Sequence, residues 1–338
     1  MKKHFIDLAA LSVLILLILY APRVSHAASE AVSLCLHSLV PSLFPILFIT
    51  GVFIERSMDT GAPVLRSIGR FCGIPEGAET ILMAGLLGGY PIGAQAISNA
   101  YGKEQISRKD ARHMLRFCSN AGPSFIFGIG MQLFSNGWIL ASLWGLQIFS
   151  SIVIGHLLAA DTAPILIPKQ QKRSLSEILS SSLKTMGIIC GWVILFRILL
   201  ELLDFLPISA HPLFTGAMEL TNGFFALSTV TNAGTRYIYA AILLSLGGGC
   251  VLLQTASVAK EIGIKSYIEG KLLQTIMVFF ISYIVQFFLF HCSDRSEISP
   301  LFMLPTALGV ILWYCSKKKC LAFPEIMMYN KQKESQTE

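Results

Sequence analysis

The sequence predicts an all-α polytopic membrane protein, with about eight transmembrane helices and two re-entrant or broken segments arranged as an inverted repeat. Three observations predict it. Of the 338 residues, 54% are hydrophobic and only 14% are charged, against about 25% charged in soluble domains; mean hydropathy is +0.64. The apolar residues gather into stretches of the ~20 residues that cross a bilayer at a rise of 1.5 Å per residue. Two further apolar stretches, 80–98 and 213–230, are interrupted by glycine, proline or a polar residue. The formal net charge of +6 then belongs to cytoplasmic loops, and nucleic acid is not an expected partner.

The chain divides into an N-terminal helix (1–32), a first repeat (33–160), a cytoplasmic linker (161–181), a second repeat (182–291), a last helix (292–316) and a basic, polar tail (317–338). The first span, 5–21, follows Lys2 and Lys3. A signal peptide cut after Ser25-His26-Ala27 is the alternative reading, against which stand Asp7 and the spans that follow directly. Span two, 33–54, carries Pro41 and Pro45, which remove backbone donors and bend a helix. Spans three (116–134) and four (138–158) are joined by the tight turn Ser135-Asn136-Gly137. Spans five (183–203), six (237–258), seven (272–290) and eight (300–314) complete the set.

Orientation follows from the basic residues. With the N-terminus cytoplasmic and both interrupted segments failing to cross, the loops at 56–112, 169–173 and 260–271 all fall inside, with Lys317, Lys318 and Lys319 of the tail. Only Arg23, Arg236 and Arg295 remain outside, and both termini are cytoplasmic. Each interrupted segment is enclosed by three crossings, an odd number, so the two units run in opposite senses. Secondary transporters built this way hold substrate at the repeat interface.

Four segments carry candidate chemistry. Residues 85–95 hold four glycines and a proline in eleven residues and cannot form one continuous helix. Open backbone at membrane depth must be buried in protein or line a wet cavity. Gly89, Tyr90, Pro91, Gly93 and Gln95 are therefore candidate contacts for a small polar solute; a packed glycine crossing is the plain alternative. In 117–124, Ser119 or Asn120 can cap the helix that follows Gly122, whose free N–H groups attract anionic or polar groups. In 218–223, Glu219 is an intramembrane carboxylate, a functional group by default, able to bind a cation or take a proton. Thr221, Asn222 and Gly223 accompany it, and a position at the membrane surface is the plain alternative. In 247–254, Gly248 permits a backbone break, and Gln254 is polar at membrane depth.

Other features read as structural. Arg108, Arg112 and Arg116 recur every four residues, as on an interfacial helix lying on anionic headgroups. Arg197 snorkels or pairs with Glu201 at i+4. The eight cysteines show no CxxC spacing. Cys35, Cys118, Cys190 and Cys250 suit apolar packing, while Cys315 and Cys320 flank the terminal lysine run. No GxxxxGK[ST], HExxH or GxSxG motif occurs, and the seven histidines lack metal-ligand spacing. No enzyme activity, metal or other cofactor is expected. Membrane lipids and an unknown small polar solute or ion are the expected partners, and a homo-oligomer is left open.

Together these segments resemble the YlbJ-type sporulation integral membrane proteins, within the broader nucleoside-recognition or gate-domain membrane proteins. The likeness rests on Gly89-Tyr90-Pro91-Ile92-Gly93-Ala94, on 117–125 (Phe-Cys-Ser-Asn-Ala-Gly-Pro-Ser-Phe), on Glu219-Leu220-Thr221-Asn222-Gly223, and on Gly247-Gly248 with Gln254. Their order and spacing run from the second span to the seventh. Gln95 departs from the lysine common in the family pattern. The resemblance implies a sporulation role and a transporter-like fold, with no settled substrate. The expectation is a permease-like protein moving a small polar solute or ion. A non-transporting scaffold for spore envelope or cortex assembly is the alternative.

Overall fold

Every regular element among the described residues is helical. The computed structural model describes residues 2–60, 63–159, 174–205 and 207–290. The basic cluster Lys169, Lys172 and Arg173, Arg295, the expected eighth span and the tail with its lysines and cysteines lie outside the described residues.

The first helix, α1 (Lys2–Leu19), turns Leu8, Leu11, Leu14 and Ile18 outward, as a lipid-facing helix does. It leads into α2 (Ala21–Leu34), a π-helical turn at Cys35–Leu39 and α3 (Val40–Thr60). Pro45 lies inside α3, yet the rod from Ala21 to Val52 stays continuous for 32 residues. The widened π turn sits directly before Pro41 and accommodates the irregularity that the prolines impose. A short helix, α4 (Pro63–Phe71), follows.

The first interrupted segment is a helical hairpin. Helices α5 (Glu79–Gly88) and α6 (Ile92–Gly102) pack side by side around a tip at Gly89-Tyr90-Pro91. Gly89 stops α5 at φ +77, a backbone region in which a Cβ is strained. Gly85 and Gly93 face each other across the hairpin, and a Cβ on either would collide with the Cys118 carbonyl. Next, α7 (Arg108–Leu115) opens on a capping box. The Ser107 hydroxyl accepts from the Asp110 N–H at 3.1 Å, and the Asp110 carboxylate accepts from the Ser107 N–H at 3.3 Å.

One expectation for this region needs correction. The third span is no continuous helix. After α7 the chain runs through an irregular stretch to α8 (Pro123–Gly128) and a 3-10 turn at Gly130–Gln132. Gly122-Pro123 and the glycines at 128 and 130 break an apolar run that hydropathy alone cannot tell from a helix. The expected basic stripe does lie on one face of α7, and its arginines bond to a neighbouring segment. Arg108 and Arg112 donate to the carbonyls of Glu261 and Ile262 at 2.9 and 3.2 Å, and Arg116 meets Glu269 at 3.4 Å. The opposite face of α7, with Ala111, Met114 and Leu115, is fully buried.

The remaining helices begin at legible caps. Asn136 accepts from the Trp138 N–H and starts α9 (Gly137–Leu157). A Ser174–Glu177 capping box starts α10 (Leu175–Leu202). Arg197 of α10 pairs with Glu201 at 3.3 Å, as expected, and also with Glu30 of α2 at 2.8 Å. Helices α11 (Pro212–Met218) and α12 (Leu220–Ala226) form a second, shorter hairpin. Its helices touch through Gly216 and Gly223. The break falls at Glu219, where the backbone is extended, and Asn222-Gly223 lies inside α12. The interruption is thus three residues earlier than the Asn-Gly pair suggests.

Asn232 caps α13 (Ala233–Leu246) through the Thr235 N–H at 2.8 Å. Left-handed Gly247 (φ +77) separates it from α14 (Gly248–Val258), and α15 (Lys265–Phe290) closes the described chain. Five helical stretches among the described residues are long and apolar enough to cross a membrane: 21–52, α9, α10, the broken pair α13–α14, and α15. Tyr237, Ala240 and Leu244 of α13 are wholly buried against α9 and α15, at the heart of the larger apolar core.

Candidate functional site

The four interruptions meet. A cavity of about 60 Å³ lies between the tip of the first hairpin, the start of α8, the tip of the second hairpin and the first turns of α14. Gly89, Tyr90, Gly122, Glu219, Thr221 and Gln254 line it, and so do Ser124 and Cys250. Apolar walls come from α3 (Leu43, Leu47) and α10 (Ile189, Val193). A cavity needs roughly 10–15 Å³ on this measure to hold one water. The space suits a few waters or a small ion with part of its shell; a nucleoside would require the walls to move.

Glu219 supplies the carboxylate. It is 2% exposed and enclosed by protein. Its side chain caps α12. Oε1 accepts from the Thr221 N–H at 2.9 Å, and Oε2 accepts from the Asn222 N–H at 2.7 Å and from Asn222 Nδ2 at 2.9 Å. Three donors replace part of the hydration that the buried carboxylate gives up. Carboxylate oxygens have about four lone-pair sites, so capacity remains for a ligand in the cavity.

Tyr90 forms the opposite wall. Its hydroxyl donates to the Leu244 carbonyl at 3.0 Å, just before the α13–α14 break. Gly247 leaves room for the ring: a Cβ there would lie 3.3 Å from Tyr90 Cζ. The two interruptions therefore brace each other.

Several predicted residues do other work. Asn120 does not cap α8; Gly122 occupies the cap position without a side-chain bond. Asn120 Nδ2 donates to the Phe117 carbonyl at 2.7 Å and to Ser151 Oγ at 3.1 Å. Ser119 is fully buried. Gly93 and Gly223 are close-contact positions within the hairpins, and Gly248 packs on the carbonyl of Gly216. Asn222 touches the site through Glu219. Pro91 and Gln95 sit at the tip and first turn of α6 and do not line the cavity.

The buried lysine that sequence reasoning missed is Lys271, which the reading above placed in a cytoplasmic loop. It lies within α15 at 2% exposure. Nζ donates to Asn120 Oδ1 at 2.9 Å and to Gln274 Oε1 at 2.8 Å. It also sits 5.1 Å from the Tyr90 ring centroid and 5.8 Å from that of Tyr267. The available signal was the spacing of Lys271 and Gln274, three apart on one face of an apolar helix.

Fold and site define a multi-pass helical membrane protein with a small internal cavity at the meeting point of its helix breaks. No family model matches the chain, and no solved structure matches it. It is similar to the sporulation integral membrane protein YlbJ of Bacillus subtilis (strain 168), with 24% identity over 310 residues and 75% of each chain covered.

Proposed function

We propose that the protein acts in sporulation as a permease-like transporter that moves a small polar solute or ion through the cavity between its broken helices. The name of its relative supports the sporulation setting. The observation that carries transport is the convergence of four helix interruptions on one cavity containing a buried carboxylate. Non-helical backbone at membrane depth is tolerated where it is buried in protein or lines a water-filled space. Discontinuous helices meeting near mid-membrane are the ligand-site architecture of many secondary transporters. We read residues 33–160 and 182–291 as the two opposed repeats, each contributing one hairpin and one break. Glu219 is the charged group that meets the solute or its coupling cation.

Purified full-length protein in liposomes, offered a panel of radiolabelled amino acids, nucleosides and small ions, tests this reading. Flux of at least one solute is expected, with Glu219→Gln reducing it at least about tenfold, the loss of roughly 1.4 kcal/mol of binding or barrier lowering. No flux across the panel, together with normal sporulation of Glu219→Gln cells, would favour a scaffold role instead.

A further inference from the structure

Lys271 is a buried cation without an acidic partner. Among the described residues, no carboxylate lies within ion-pair distance of it. Its ammonium is held by two neutral amide oxygens and two aromatic faces. These are the groups that bind a free monovalent cation: oxygen dipoles and ring quadrupoles. An unpaired charge at membrane depth is costly and is a functional group by default.

The surroundings make that charge removable. A lysine bonded to a carboxylate cannot lose its proton without stranding an anion. Here both acceptors are neutral, and Asn120 Oδ1 already accepts a second bond, from Gln274 Nε2 at 3.0 Å. Gln274 Nε2 also reaches Ser150 Oγ at 3.0 Å and Gln147 Oε1 at 3.3 Å. The amide network stays paired if the ammonium becomes an amine. The position is also coupled to the cavity: one face of Tyr90 meets Lys271, while the residue lines the cavity wall. Asn120 stands directly before Ala121 and Gly122, which line the same cavity.

We propose that Asn120, Gln274, Tyr90 and Tyr267 form a monovalent-cation site whose resident cation is the Lys271 ammonium, and that the ion exchanged there during transport is a proton. In the step, the Nζ–H bond breaks and the proton leaves to water. The neutral amine releases the Tyr90 ring, and the hairpin tip becomes free to move. The titratable groups facing Lys271 are Tyr90 from the hairpin, Cys118 from the stretch before α8 and Tyr267 on its own helix. From α9 come the neutral side chains of Gln147, Ser150 and Ser151, and α13 contributes the Leu244 carbonyl that holds Tyr90. From the end of α7, the Arg116–Glu269 ion pair flanks Gly270, the residue before Lys271.

The inference rests on the transport reading, but its test does not require flux. Cys250 lines the cavity, and its alkylation by maleimide in the liposome-embedded full chain can be followed by peptide mass spectrometry. Dividing the wild-type rate by that of Lys271→Arg, which stays charged, cancels the titration of the thiol itself. The ratio is expected to rise at least about fivefold between about pH 7 and about pH 9.5 as the open population grows. Lys271→Ala should label fast throughout, and methylammonium should slow it by entering the vacated site. A ratio that stays flat with pH overturns the proposal, as does protection of wild-type Cys250 by sodium at fixed pH. If Lys271→Ala does not fold, the wild-type-to-arginine ratio still decides. Flux without pH-dependent labelling would remove Lys271 alone; pH-dependent labelling without flux would remove the transport reading.

Discussion

His113 shows how a single residue reports its packing. It lies in α7, outside the spanning helices, at 2% exposure, with Nε2 2.7 Å from the Cys72 carbonyl. A carbonyl only accepts, so Nε2 carries the proton. Burial lowers the pKa below its ordinary 6.5, and the charge of Arg116 adds to that, outweighing the Cys72 carbonyl and Asp110. Folded His113 thus binds protons less readily than the same residue in the unfolded chain. Its contribution to stability is complete above about pH 6.5 and is lost as the pH falls toward the depressed folded value. Opening of 108–115, read from hydrogen exchange corrected for its base-catalysed intrinsic rate, should therefore accelerate between about pH 7 and about pH 5, and His113→Gln should flatten that dependence. Equal acceleration in the variant would mean that another group titrates there. The residues of the cavity were legible to different degrees. Glu219 stood out because a carboxylate in an apolar run has few bland explanations. Lys271 did not, because Lys265 and Glu269 precede it and the segment reads as a charged loop. Its burial arises from α7, where Gly270 lies against the Arg116 carbonyl, a tertiary contact with no local signature.

At the scale of elements, the helix interruptions depend on glycine in two separable ways. Gly223 needs space: a Cβ there would collide with the Gly216 backbone of the facing helix. Gly247 needs conformation: its φ is +77, and its nearest side-chain neighbour for a Cβ is Tyr90 at 3.3 Å. Gly223→Ala should separate α11 from α12 and destabilise by about 2–3 kcal/mol or more, as overpacking does. Gly247→Ala should cost about 1–2 kcal/mol, the left-handed penalty. Thermal unfolding in detergent should rank the two in that order, and the reverse ranking would show that the second hairpin can yield. The breaks themselves were readable, since glycine clusters and Gly-Pro pairs cannot continue a helix. Their exact positions were less so. The second interruption falls at Glu219, because a carboxylate able to cap α12 competes with the Asn-Gly pair for the helix start. The region 116–134 misled by composition. It is apolar enough for a span but is built as α8 and a 3-10 turn.

At the scale of the whole molecule, hydropathy picked out five stretches that the described residues build as helices long and apolar enough to cross a membrane, because the bilayer imposes length and apolarity together. It could not say which apolar stretches fold back. The last consequence concerns the rod of α2, the π turn and α3. Its apolar part, 21–52, is 32 residues long and measures roughly 48 Å at the α-helical rise, whereas the hydrocarbon layer is about 30 Å thick. Such a member must lean steeply or stand proud of the headgroups, and leaning makes it a gauge of membrane thickness. Depth-sensitive spin labels at positions 36 and 49, both outward-facing, should converge on a more upright pose as lipid acyl chains lengthen. Labels that hold their depths across thin and thick bilayers would mean that the surplus turns project into water, fixed there by the Arg197–Glu30 clasp.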